Sequence, residues 1–184
     1  LVDLDTVEPF YTLRPLKEFL EAKGLKVVGF SRQDSFGLGE TGAMLNPQAR
    51  WVLKLDGDII MDVGYGVQGA RTLNLVEGSH ESPELRVFAV VNYSRPMTNS
   101  FERVKEYIES LGRVDAIIAN THLGDETTWD LICRGNREIY QVAEKLGIGV
   151  AYMAVDYRFK DIVDPDACDV PVKFICRYMP KAIW

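Results

Sequence analysis

The chain is poor in the residues that build metal and disulfide scaffolds. It has three cysteines, Cys133, Cys168 and Cys176, with no CxxC spacing, and only two histidines, His80 and His122. An odd number of scattered cysteines reads as free thiols of the kind kept in the cytosol, and neither a zinc site nor a disulfide framework fits. An excess of positive charge is also lacking. The net charge is −6, so no basic surface indicates nucleic acid as a partner. Apolar runs long enough to cross a bilayer are absent, and no signal peptide is visible, although the sequence opens Leu1-Val2-Asp3 without a methionine. Internal repeats, low-complexity tracts and linkers are missing as well. What remains is a chain of 184 residues, 47% hydrophobic and 26% charged, sufficient for one sizeable domain with its own core, here expected in the cytoplasm.

Short apolar runs alternate with segments of helical periodicity. The runs are Lys26 to Phe30, Ile59 to Met61, Val87 to Val91, Ala116 to Ala119 and Val150 to Val155. They are rich in β-branched residues and do not alternate between apolar and polar, as expected of parallel strands covered on both faces. Between them lie three helical stripes: Leu13, Leu16, Phe19 and Leu20; Phe101, Val104, Ile108 and Leu111; and Ile139, Val142, Ala143 and Leu146. Lys23-Gly24 and Leu146-Gly147 are C-terminal stops for two of these helices. The pattern predicts an α/β fold, a doubly wound and mainly parallel sheet with helices on both faces. The stretch Ser31 to Arg50 reads as a long irregular insertion, either a surface loop or a lid or partner-binding loop. Pro171 to Cys176 reads as an edge strand, and the tail from Arg177 to Trp184 is unassigned.

The chemistry-bearing residues follow the apolar runs. Leu1-Val2 leads to Asp3 and Asp5, Ile60-Met61 to Asp62, Val90-Val91 to Asn92, Ile118-Ala119 to Asn120, and Ala154-Val155 to Asp156. Ligands of open parallel sheets bind outside the carboxyl ends of the strands, so these side chains would share one edge. Each alone is equally a good turn residue where a strand stops. Asp62-Val63-Gly64 suits a carboxylate that holds magnesium through water, followed by a glycine that lets the backbone approach a phosphate. Asp3 and Asp5, two apart on a strand, project to one face. There they need a cation or hydrogen-bond donors to offset their repulsion, or else a position in water.

The run Val2-Asp3-Leu4-Asp5-Thr6-Val7-Glu8-Pro9-Phe10-Tyr11, followed by Arg14, resembles the segment after the P-loop helix in ATPases related to MinD, ParA and the CobQ/CobB group. The resemblance continues through Asp62-Val63-Gly64, Val91-Asn92-Tyr93-Ser94-Arg95-Pro96 and Asn120-Thr121-His122-Leu123-Gly124-Asp125-Glu126-Thr127-Thr128, in order, over residues 1 to about 160. It implies one P-loop NTPase-like, nucleotide-binding domain over residues 1–184, with 161–184 as a C-terminal extension. It further implies ATP as ligand, Mg2+ as cofactor and a homodimer formed around ATP. Asp3 would touch the magnesium shell and Asp5 would orient the attacking water. Asp62 would be the magnesium-holding (Walker B) carboxylate, with Gly64 sensing the γ-phosphate. Asn120 would hydrogen-bond adenine, and Val155-Asp156 would pack against the base. Glu8 replaces the family's Asn, and Tyr65 stands where a second glycine is usual.

No GxxxxGK[ST] occurs in these residues; Gly37-Leu38-Gly39-Glu40-Thr41-Gly42 lacks the lysine. In a full-length relative a strand, the P-loop and a helix, roughly 30 residues, would precede Leu1. An incomplete chain, proteolysis, or a truncated protein with re-paired strands would each account for the lack, and the first is the favoured expectation. The function expected is therefore ATP binding, with magnesium-dependent hydrolysis in the full-length form. The alternatives are a catalytically silent module of the same fold that binds a protein partner, and a synthetase that uses ATP to activate a carboxylate.

Overall fold

The computed structural model describes residues 1–7, 12–31 and 44–179. Glu8 to Tyr11 of the motif, the glycine-rich stretch 37–42 and residues 180–184 lie outside the described residues. The fold falls into two compact units, Leu1–Leu85 and Arg86–Trp184. Among the described residues no helix is long and apolar enough to cross a membrane.

In the first unit, strand β1 (Val2–Asp3) pairs in parallel with β2 (Met61–Asp62), placing Val2 beside Met61 and Asp3 beside Asp62. On its other side β1 meets a single parallel bridge at Val28, closed by Asp3 N–H to Val28 C=O (2.9 Å) and Val28 N–H to Leu1 C=O (2.8 Å). The strand expected over Lys26 to Phe30 thus contracts to one bridge, because β1 offers only two residues to pair with. Val2, Leu4, Val28, Ala49, Val52 and Val76 form this unit's core. Helix α1 (Lys17–Ala22) follows a 3-10 turn at Arg14–Leu16 and buries no residue. Its expected apolar stripe is therefore only partly used: Phe19 stays 43% exposed, with Lys23 Nζ 4.9 Å above its ring. Two helical segments were not anticipated. Pro47–Lys54 is a 3-10 helix whose start is capped by the Asn46 side chain, accepting from Gln48 N–H, inside and beyond the stretch read as irregular. Helix α2 (Gly66–Thr72) follows Asp62-Val63-Gly64.

The second unit carries a four-stranded, wholly parallel sheet in the order β3 (Phe88–Val91), β4 (Ala116–Ala119), β5 (Gly149–Asp156), β6 (Val172–Ile175). Helix α3 (Phe101–Ser110) joins β3 to β4, and α4 (Trp129–Leu146) joins β4 to β5. Both helices have side-chain caps: Ser100 accepts from Arg103 N–H, and Thr128 from Leu131 N–H. Gly147 ends α4 in the left-handed conformation at φ 65°, as its position after Leu146 predicts. The expected stripes are buried: Val104 and Ile108 of α3 and Ile139, Val142 and Ala143 of α4 pack on Ala89, Val91, Ile117 and Ala119. This unit is α/β, and β6 is the edge strand anticipated near Pro171 to Cys176. Helices on both faces are not what it shows, since α3 and α4 share one face of β3 and β4. On the opposite face Phe88 and Val90 are 47% and 55% exposed, so β3 alternates although its sequence does not.

Candidate functional site

Two groups of polar residues stand at the carboxyl ends of strands, one in each unit.

In the first unit, Asp3 ends β1, Asp5 lies just beyond it and Asp62 ends β2. The two strands run in the same direction because the pairing is parallel. Asp3 is 2% exposed and its Oδ2 accepts from Arg14 Nε at 2.8 Å, while its Oδ1 accepts from the Asp5 N–H at 3.0 Å. Arg14, itself 7% exposed, also donates through Nη2 to the carbonyls of Asp5 (3.1 Å) and Met44 (3.5 Å). Its planar fork thereby fixes the turn after β1. Asp5 Oδ1 accepts from Val7 N–H at 2.7 Å. Gly64 lies so close to this carboxylate that a Cβ on it would stand 2.4 Å from Asp5 Oδ1. Gly69 of α2 presses on Gly64 in turn, where a Cβ would meet the Gly64 carbonyl oxygen at 1.7 Å. Both glycines are required by close approach.

Arg14 offsets the charge of Asp3, and Asp62 lies within reach of the charges of both Asp3 and Asp5. Burial, reinforced by the charges of Asp3 and Asp5, raises the Asp62 pKa from 3.8 to about 6. Among the described residues no group of three or more His, Cys, Asp and Glu forms a metal cage. Magnesium commonly takes one or two carboxylates and completes its shell with water and phosphate oxygens. Asp62, with no protein hydrogen bond to its carboxylate among the described residues, fits that demand best, and Asp3 has Arg14 already on one oxygen.

In the second unit, Asn92 (7% exposed) ties the end of β3 to the segment after β4. Its amide donates to His122 C=O (3.0 Å), and its Oδ1 accepts from His122 N–H (3.1 Å) and Ser94 N–H (2.9 Å). Thr127 closes the turn that follows, accepting from Leu123 N–H and donating to Gly124 C=O. Arg158 clamps the same turn from the end of β5, donating to the carbonyls of Gly124, Asp125 and Thr127 at 3.2, 3.0 and 2.8 Å. Asp156 is bound on both oxygens, Oδ1 by Arg158 N–H and Oδ2 by Arg177 Nε, each at 3.1 Å. Arg177 also pairs with the Asp125 carboxylate. That hydrogen bond, with the charges of Asp125 and Asp156, pushes the Arg177 pKa above the usual guanidinium value.

These side chains enclose a small pocket lined by Asn120, Thr121, His122, Ile132, Asp156 and Arg177, among others. Burial first, then the positive charges of Arg177 and Arg95, lowers the His122 pKa, so its ring is neutral at pH 7. Of the sequence-expected residues, Asn120 and Asp156 line this pocket together. Val155 does not: it is 1% exposed and packs with Ile132, Met153, Phe159 and Val163 in the core. Gly64, Asp3, Asp5 and Asp62 are brought together in the first unit. Arg158 and Arg177 were missed, the first because it follows the strand-end signal by two residues, the second because it stands in a tail with no motif.

Comparison with known proteins finds no matching family model, no matching curated protein and no matching solved structure.

Proposed function

We propose that this is an ATP-binding chain of the MinD/ParA-like kind, with magnesium-binding carboxylates in the first unit and a base-binding group of polar residues in the second. The observation that carries the reading is the pair Asp5 and Gly64. A carboxylate beyond one parallel strand and a glycine beyond the next are packed so closely that no side chain is tolerated between them, with Asp62 beside them. A glycine in that place would give a phosphate access to backbone N–H, and Asp5 would orient a water. Asp62 would hold magnesium through water, with Asp3 and Arg14 behind it. The ion, when bound, supplies the charge neutralisation that phosphoryl transfer needs. In the second unit Asn120 offers an amide, which pairs naturally with the donor and acceptor edge of adenine. Hydrolysis further requires a glycine-rich phosphate loop with its lysine, which these 184 residues do not contain. It therefore belongs to a polypeptide in which such a loop accompanies them, and the dimer belongs to the same form.

The test is NMR on the chain itself. Mn2+, a paramagnetic stand-in for magnesium, is expected to broaden the amides of residues 61–65 first, and AMP to shift those of 120–122 and 156–158. Broadening spread evenly over surface carboxylates, with no response at 120–122, refutes the reading.

A further inference from the structure

Asn136 stands in the interior of α4, 2% exposed, and neither its Oδ1 nor its Nδ2 has a hydrogen-bond partner among the described residues. Thr121, just beyond β4 and 1% exposed, has an Oγ1 in the same condition. Helix geometry brings the two together. A Cβ on Gly135 would stand 2.5 Å from Thr121 Cγ2 and 2.6 Å from its Oγ1, so α4 rests on Thr121 at that turn. Ile132 lines the second unit's small pocket together with Thr121. Residues 132, 135 and 136 are i, i+3 and i+4 on one patch of helix surface, and helical side chains lean towards the helix start, that of Asn136 towards Ile132. Thr121 thus abuts the patch of which Asn136 is the third member, yet the two side chains are not bonded to each other. A buried donor or acceptor left unsatisfied costs its full desolvation, and native proteins meet such groups with a partner or an ordered water. The pocket at this place has a volume of about 40 Å3, enough for one or two waters.

We propose that ordered water in this pocket joins Asn136 to Thr121, which makes Asn136 a positioning residue for the segment Asn120-Thr121-His122. The chemistry of the donors selects water over an ion. The amide gives a donor and an acceptor, the hydroxyl gives both, and neither carries charge. The charged groups on the pocket wall are already engaged, Asp156 on both oxygens and Arg177 with Asp156 and Asp125. A cation would need more oxygens, and an anion a free positive charge. One water accepts from the Thr121 hydroxyl and donates to Asn136 Oδ1. The backbone N–H groups on either side of Thr121 are bonded elsewhere, Asn120 to Val91 C=O at 2.8 Å and His122 to Asn92 Oδ1 at 3.1 Å. Those bonds tie the segment to β3, and the water ties it to α4. Nothing in this arrangement depends on a nucleotide.

The test is NMR and urea denaturation of the whole chain. In the wild type, cross-peaks to water with the sign of long-lived hydration are expected at the Asn136 side-chain amide protons. Asn136→Leu and Thr121→Val keep the side-chain size and remove the polar atoms. The urea midpoint falls in each, and the double variant loses less than the sum of the two single losses, because either change alone already breaks the shared bridge. Atoms that lack any partner require the opposite, since an apolar replacement then removes a desolvation cost and raises the midpoint. In Asn136→Leu the backbone order parameters of residues 120–122 fall, while those of α3 stay at the wild-type values, a local loosening that reduced stability alone does not produce. A midpoint that rises in either single variant overturns the proposal. So do strictly additive losses, a wild type without the water cross-peaks, or order parameters at 120–122 that do not change.

Discussion

The ion pair between Arg14 and Asp3 is the sharpest place to test the first unit. Both side chains are almost fully buried, 6% and 1% exposed, and the contact is 2.8 Å. Replacing Arg14 with methionine keeps the side-chain volume and removes the charge. It leaves the Asp3 carboxylate buried without its cation, next to Asp5 and Asp62, and frees the carbonyls of Asp5 and Met44 from their shared donor. Stranding one partner of a buried pair costs about 3–5 kcal/mol, because the remaining charge stays desolvated. A whole domain has about 5–15 kcal/mol to lose. With a urea dependence of about 2 kcal/mol per molar, the unfolding midpoint read by circular dichroism falls by about 2 M. Two further outcomes follow from the same cause. Arg14→Lys recovers little, since one ammonium cannot reach a carboxylate and two carbonyls in a plane. In Arg14→Met/Asp3→Asn the second change restores stability, so the double variant is more stable than Arg14→Met alone. A loss below about 1 kcal/mol, or a double variant no more stable than Arg14→Met, would refute the buried-charge argument.

The remaining predictions are independent of that pair. The folded-state pKa of Asp62, about 6, lies above its ordinary 3.8, so the folded form binds the proton more tightly and stability declines as pH rises from about 4 to 6. Asp62→Asn removes that decline, worth roughly 2–3 kcal/mol, and is more stable than the wild type at pH 8 in thermal melts; an unchanged pH profile refutes it. Gly69→Ala drives a methyl into the Gly64 carbonyl and destabilises the first unit by about 3 kcal/mol or more, whereas Gly149→Ala, with nothing within 4 Å, changes stability by less than about 1 kcal/mol in the same denaturation assay. Val90→Lys, on the exposed face of β3, leaves stability within about 0.5 kcal/mol and lowers self-association in sedimentation velocity; a larger loss of stability would mean that the face is covered.

Elements that bury a full face could be read from residue type and spacing alone. Val104 and Ile108, and Ile139, Val142 and Ala143, recur at helical intervals and are the residues driven onto β3 and β4. Gly147 stops α4 because a left-handed residue is needed there, and only glycine adopts it freely. Short elements were not legible for a physical reason. Helix α2 contains two glycines, Gly66 and Gly69, and its place is set by contact with Gly64 rather than by propensity. Val28 belongs to an apolar run that looks like a strand, yet whether it pairs depends on how far its neighbour extends. Strand-end polarity put Asn120, Asp156 and the three aspartates at or just beyond the carboxyl ends of strands, because a chain leaving the core there exchanges apolar for polar side chains. It could not locate Arg177, which is brought to Asp156 by β6 pairing with β5 and by nothing local in its own sequence.

The exposure of β3 adds an argument that the carboxylates alone do not give. Phe88-Ala89-Val90-Val91 is apolar at every position, the pattern of a strand covered on both faces. Among the described residues of the second unit it is covered on one, by α3 and α4, while Phe88 and Val90 face outward and β3 pairs only with β4. Sequence and packing therefore disagree at one strand, and the disagreement has two parts, an open hydrogen-bonding edge and an uncovered apolar face. Each costs free energy in water, and an unpaired edge also invites aggregation. A partner protein docked on the face would leave the edge unpaired, and an added strand alone would leave Phe88 and Val90 in water. A strand followed by a helix answers both, the strand at the edge and the helix over the face.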